Sequence, residues 1–131
     1  MKFVLDTCTY LWLVDDQTRL SARALAVIGD AGNSLHLSAI TITEVHRLVR
    51  AGRVSIRAPG GLDDWFHKGL AQHQVLCEPI TLAIAHAAET LPPIHNDPAD
   101  RFILATAQVL NGTVLSPDTI MSKYPDITTE W

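Results

Sequence analysis

Residues 97–118 read DPADRFILATAQVLNGTVLSPD. Pro98 stands where a helix takes its first residue, because proline lacks only an N–H that the first turn leaves unpaired. Gly112 stands where a helix ends, because glycine adopts the left-handed backbone of a terminus without strain. PADRFILATAQVLNG therefore reads as a helix, and Thr113-Val114-Leu115 as a short strand directly after it. A helix that feeds a strand is half of a βαβ unit, so the question is whether the alternation repeats.

It repeats toward the N-terminus. Phe3-Val4-Leu5 reads as a buried strand ending at Asp6. TYLWLV follows as a helix, and LSARALAVIGDAG as another, with Ser21 as its N-cap. Leu35-His36-Leu37 is a strand and TITEVHRLVRAG a helix closed by Gly52. PGG at 59–61 breaks the chain. LDDWFHKGLAQH is a helix weakened by Gly69, Gln74-Val75-Leu76-Cys77 a strand, and TLAIAHAAETL a helix stopped by Pro92-Pro93. Beyond the opening stretch, SPDTIMSKY reads as a short helix and Asp126-Ile127-Thr128 as an edge strand. The pattern predicts an α/β fold: a central, mostly parallel sheet with helices on both faces, in one domain spanning 1–131.

The composition agrees. An apolar fraction of 47% sustains a continuous core, and 18% charged residues argue against disorder. No apolar run approaches the roughly 18 residues of a membrane span, and the first residues lack the pattern of a signal peptide. Cys8 and Cys77 form neither CxxC nor a metal-type spacing with histidine, which points to reduced thiols in a cytoplasmic protein away from membranes. The net charge of −4 argues against a coat of positive charge for non-specific nucleic-acid binding. Positive charge is nonetheless local: Arg47, Arg50, Arg53 and Arg57 fall close together.

The acids carry the chemistry. Asp6 ends the first strand, Glu44 lies early in the helix after the second, Asp97 and Asp100 open the long helix, and Asp118 follows the strand 113–115. In an open α/β sheet the carboxyl ends of strands and the starts of the following helices share one edge, where ligands bind. Each acid also has a local explanation. Asp6 and Asp97 suit N-caps, Thr41-Ile-Thr-Glu44 matches a capping box, and Asp100 and Asp118 favour the positive end of a helix dipole. Asp97 is also spaced to pair with Arg101. If the acids converge within about 6 Å they repel one another unless a cation is present. An all-oxygen set suits Mg²⁺ or Mn²⁺ better than zinc, and for the same reason His95 is not expected as a ligand.

The stretches FVLDTCTYLWLVDDQTRLS, SAITITEVHRLVRAGRVSI, HNDPADRFILATAQ and VLSPDTIMSKYP resemble the PIN-domain ribonucleases, and within them the VapC-type toxins of bacterial toxin–antitoxin pairs. The resemblance implies a PIN-like three-layer α/β/α fold. It places the acids of the family at Asp6, Glu44, Asp100 and Asp118, as catalytic residues and ligands of Mg²⁺ or Mn²⁺. Asp97 matches an extra acid of this branch, which supports the helix start, with metal contact as the lesser reading. Ser116 stands where threonine is more usual, and Cys8 where asparagine or histidine is. Thr7 and Ser116 are expected to orient the acids. The implied activity is metal-dependent endoribonucleolytic cleavage of cellular RNA (tRNA, rRNA or mRNA), in line at phosphorus, leaving a 5′-phosphate. The implied partners are RNA, a cognate VapB-type antitoxin protein and a second copy in a homodimer.

Arg47, Arg50 and Arg53 read either as contacts to an RNA backbone or as a solvated helix face. Arg101 reads as a phosphate contact or, more simply, as the partner of Asp97. Trp12, Trp65 and Phe66 read as core or interface, and Trp131 finds no role. The rival readings fare less well. A haloacid dehalogenase-like phosphatase needs a second Asp where Cys8 stands, and a receiver-like domain needs a phosphoacceptor Asp on a middle strand. A non-catalytic binding domain needs every acid to serve as a helix cap.

Overall fold

A computed structural model describes all of residues 1–131. Five strands form one sheet in the order β3-β2-β1-β4-β5, every neighbouring pair parallel. They are β1 (Lys2–Leu5), β2 (Ser34–Ser38), β3 (Val75–Glu78), β4 (Thr113–Leu115) and β5 (Thr129–Glu130). The helices are α1 (Thr7–Asp15), α2 (Ala22–Gly29), α3 (Ala39–Arg50), α4 (Gly61–His73), α5 (Leu82–Thr90) and α6 (Pro98–Leu110). No helix is long and apolar enough to cross a membrane.

Alternation along the strands divides the core into two halves. Phe3 and Leu5 of β1 point to a cluster with Tyr10 and Leu13 of α1, Val27 of α2 and Trp65 and Phe66 of α4. Val4, between them, points to the other face and packs with Val114, Ile84 of α5 and Ile103 and Leu104 of α6. Helices thus cover both faces, as the alternation predicts. Tyr10 stacks on Phe66 at 5.8 Å and meets Trp65 edge-on at 5.7 Å, so Trp65 and Phe66 are core. Trp12 packs on Trp131 at 5.8 Å, with the Arg19 guanidinium 4.6 Å from its ring centre. That contact accounts for the terminal tryptophan.

Gly69 has a packing reason. A Cβ there would lie 2.7 Å from Tyr10 Oη and 3.1 Å from Val14 Cγ2. The close approach of α4 to α1 therefore requires glycine inside a helix.

Three expectations are corrected. The capping box at Thr41–Glu44 does not form, because α3 begins as soon as β2 ends. Ser38 caps it, its Oγ accepting from Ile40 N at 3.3 Å. Thr41 is then a buried residue inside the helix. SPDTIMSKY yields only a 3₁₀ turn, Met121–Lys123. Side chains compete with the helix for backbone groups there: Ser116 Oγ accepts from Asp118 N at 3.0 Å, and Asp118 Oδ1 from Ile120 N at 2.8 Å. The edge strand falls later than Asp126-Ile127-Thr128, at Thr129–Glu130, because Ile127 is drawn into the core beside Met121 and Tyr124.

One consequence of strand order positions the site. From β1 the chain proceeds to β2 on one side, whereas β4 lies on the other. The carboxyl ends of β1 and β4 flank the point where the winding reverses, where such sheets leave a crevice.

Candidate metal centre

Asp6 leaves the end of β1 and caps α1, its Oδ1 accepting from Thr9 N at 2.8 Å. Its Oδ2 accepts from Ser116 Oγ, across the gap between β1 and β4. Ser116 also holds Asp118 through its N–H. Asp100 projects from the first turn of α6, and Asp97 caps that helix, its Oδ1 accepting from Ala99 N at 2.9 Å. Glu44 arrives from α3. Because α3 starts at Ala39, Glu44 is carried past the first turn and into the crevice instead of folding back to cap it. Thr7 Oγ1 lies 3.2 Å from Thr41 Oγ1, tying the start of α1 to α3.

All four predicted acids, with Asp97, Thr7 and Cys8, line one cleft of about 510 Å³. Glu44, Asp97 and Asp100 each bring a carboxylate oxygen within 4.8 Å of the others. Asp6 does not join that close set; both of its oxygens are engaged by Thr9 and Ser116. Arg47 and Arg53 stand on the wall of the cleft, and Arg50 does not.

Two residues behave differently from the sequence expectation. His95 enters the acidic cluster: its Nε2 is 3.0 Å from Asp100 Oδ2 and 3.0 Å from Asp118 Oδ2. Only the spacing of His95 two residues before Asp97 hinted at this. Arg101 makes no ion pair with Asp97. Its guanidinium instead donates to the carbonyls of Ala88 (2.7 Å), Leu91 (2.9 Å), Pro92 (2.9 Å) and His95 (3.4 Å). Those carbonyls lie at and beyond the end of α5, where helix geometry leaves acceptors unpaired, and they draw the guanidinium inward.

The electrostatics are those of crowded carboxylates. Burial raises Asp6 above the usual carboxylate range, despite the hydrogen bonds from Ser116 and Thr9. Burial raises Glu44, with Asp97 adding to the effect while Thr7 and Arg47 oppose it. Burial and then Asp97 push Asp100 up to about 7, against the pull of His95. Glu44 Oε2 is buried without a hydrogen-bond partner. A buried unpaired carboxylate oxygen costs about 1–3 kcal/mol, more when charged. A hard divalent cation would offset that cost, so the residues fit one. The expectation that the acids are only caps fails for Glu44, which caps nothing.

A family model of the PIN domain matches residues 3–127. The chain belongs to the PIN-domain family. No curated protein sequence matches it. Among solved structures this PIN domain is similar to VapBC2 from Rickettsia felis bound to a DNA fragment from its promoter. The TM-score is 0.70 at 14% identity, over 99% of this chain and 98% of that one. It is also similar to VapBC-1 from nontypeable Haemophilus influenzae (TM-score 0.64, 19% identity, 99% and 97% covered). A toxin–antitoxin complex from Klebsiella pneumoniae gives 0.60 at 18% identity, with 98% and 97% covered. At these identities the likeness is one of fold, and the parallel α/β/α architecture of the PIN domain is what they share.

Proposed function

We propose that this PIN domain, acting as one domain over 1–131, is a Mg²⁺- or Mn²⁺-dependent endoribonuclease. We further propose that it is the toxin of a pair whose VapB-type antitoxin holds it inactive. The supporting observation is the meeting of carboxylates from four separate segments at the β1/β4 crevice, one with a buried, unpartnered oxygen. The complexes of the similar structures suggest the antitoxin.

Asp6, Glu44, Asp100 and Asp118 would hold one or two divalent ions. When bound, a divalent cation lowers the pKa of a water nucleophile and neutralises charge on the phosphoryl group. The remaining work falls to the chain itself. Ser116 fixes Asp6 and Asp118 relative to one another through its hydroxyl. Thr9 N–H fixes the other oxygen of Asp6. Arg47 and Arg53, on the cleft wall, would bind phosphates flanking the cleaved bond. The products would carry a 5′-phosphate and a 3′-hydroxyl, and tRNA, rRNA or mRNA would serve as substrate.

The test is cleavage of RNA by purified, antitoxin-free protein with and without Mn²⁺, for wild type, Asp6→Asn and Asp100→Asn. Cleavage that needs the ion and is nearly abolished by either substitution is expected. Cleavage without metal, or full activity in both variants, refutes the assignment.

A further inference from the structure

Two sets of ligand-capable groups meet in the cleft and share Asp100. One is Glu44, Asp97 and Asp100; the other is His95, Asp100 and Asp118. The first set is wholly anionic. The second already contains a donor, because His95 Nε2 stands 3.0 Å from one oxygen of each of its two carboxylates.

The ring is oriented for that role. His95 Nδ1 accepts from Asp97 N at 3.2 Å, which leaves Nε2 as the nitrogen that carries the ring's N–H. The backbone is held as well. His95 N–H donates to Tyr124 Oη at 2.8 Å, and its carbonyl accepts from Arg101 at 3.4 Å. A Mg²⁺ ion bound to those same two oxygens would lie about 2.1 Å from each. On the ring's side of the pair such an ion would fall within about 2 Å of Nε2 and its proton, so ring and ion exclude one another.

Building on the nuclease reading above, we propose that His95 fills the second of two cation positions, so that the cleft takes a single divalent ion. The ring is a positioning residue. Its Nε2 hydrogen-bonds Asp118 and stands 3.0 Å from Asp100, so the two carboxylates face the ring with no second ion between them. The open face of Glu44, Asp97 and Asp100 is left as the place where a hard ion enters.

The experiment counts Mn²⁺ bound to the metal-stripped full chain, from the electron paramagnetic resonance of the free ion. One ion is expected for wild type and two for His95→Ala. One is expected for His95→Gln, whose amide N–H keeps a donor in place, and one for His95→Ala combined with Asp118→Asn. Two ions in wild type, or one in His95→Ala, overturns the inference. No bound ion in any variant overturns the nuclease reading instead, which separates the two failures. Should His95→Ala fail to fold, nitrogen-15 NMR of the wild-type imidazole decides. An Nε2 proton retained at saturating Mg²⁺ supports the proposal, and its loss or a displaced ring overturns it.

Discussion

Ser116 Oγ donates to Asp6 Oδ2 and accepts the backbone N–H of Asp118, so one hydroxyl joins the ends of β1 and β4. Asp6 is 5% exposed and Ser116 4%, so water cannot replace that hydrogen bond. Ser116→Ala is expected to lower RNA cleavage about 10–100-fold, the usual cost of losing a group that orients a metal ligand. Ser116→Thr keeps a hydroxyl and should retain most activity. Initial rates at saturating Mn²⁺ check both.

Asp6, Glu44 and Asp100 are all raised by burial, Asp100 to about 7. The folded metal-free protein therefore binds more protons than the unfolded chain, whose carboxyls titrate near 4. Stability then falls as pH rises between about 4 and 7. Urea midpoints in EDTA should decrease across that window. Added Mg²⁺ should restore the midpoint at neutral pH, because it binds the folded state alone. Asp100→Asn should flatten the EDTA profile while abolishing cleavage.

Replacing Gly69 should reverse the ordinary propensity rule. Alanine in a helix interior normally gains about 1 kcal/mol over glycine. Here the new methyl would meet Tyr10 Oη at 2.7 Å. Gly69→Ala is expected to destabilise the fold by about 1–3 kcal/mol, the range of overpacked cores. Gly29 in α2 has nothing within 4 Å of the corresponding position, so Gly29→Ala should be neutral or stabilising. Denaturant unfolding of the two variants makes the comparison.

Arg47 and Arg53 face the cleft, and Arg50 does not. Substituting either of the first two by alanine in an Asp6→Asn background should weaken RNA binding. The salt slope should fall by roughly 0.7 for each phosphate that is no longer neutralised. Arg50→Ala should leave both nearly unchanged. Fluorescence anisotropy against salt concentration distinguishes the three.

Arg101→Ala removes donors to four backbone carbonyls, among them that of His95. A loss of about 1–3 kcal/mol follows from leaving partly buried acceptors unpaired. Arg101→Lys should rescue little, since an ammonium cannot reproduce the planar fork that spans them. Thermal unfolding of both variants measures this.

Much of the molecule was legible from its residues. Pro98 and Asp97 mark the start of α6, Ser21 that of α2, and short apolar runs mark β1, β2 and β4; each depends on neighbours a few positions away. The acids could be placed on one edge for the same reason, since helix starts after parallel strands share it. Tertiary structure alone decided the remainder. Ser38 took the cap expected of Thr41 and thereby carried Glu44 into the cleft. The loop after α5 brought His95 between Asp100 and Asp118 and turned Arg101 onto carbonyls instead of Asp97. Capping and periodicity are local, and a sequence displays them directly. Contacts between distant segments depend on strand order and on competition among alternative partners, and only the folded chain settles those.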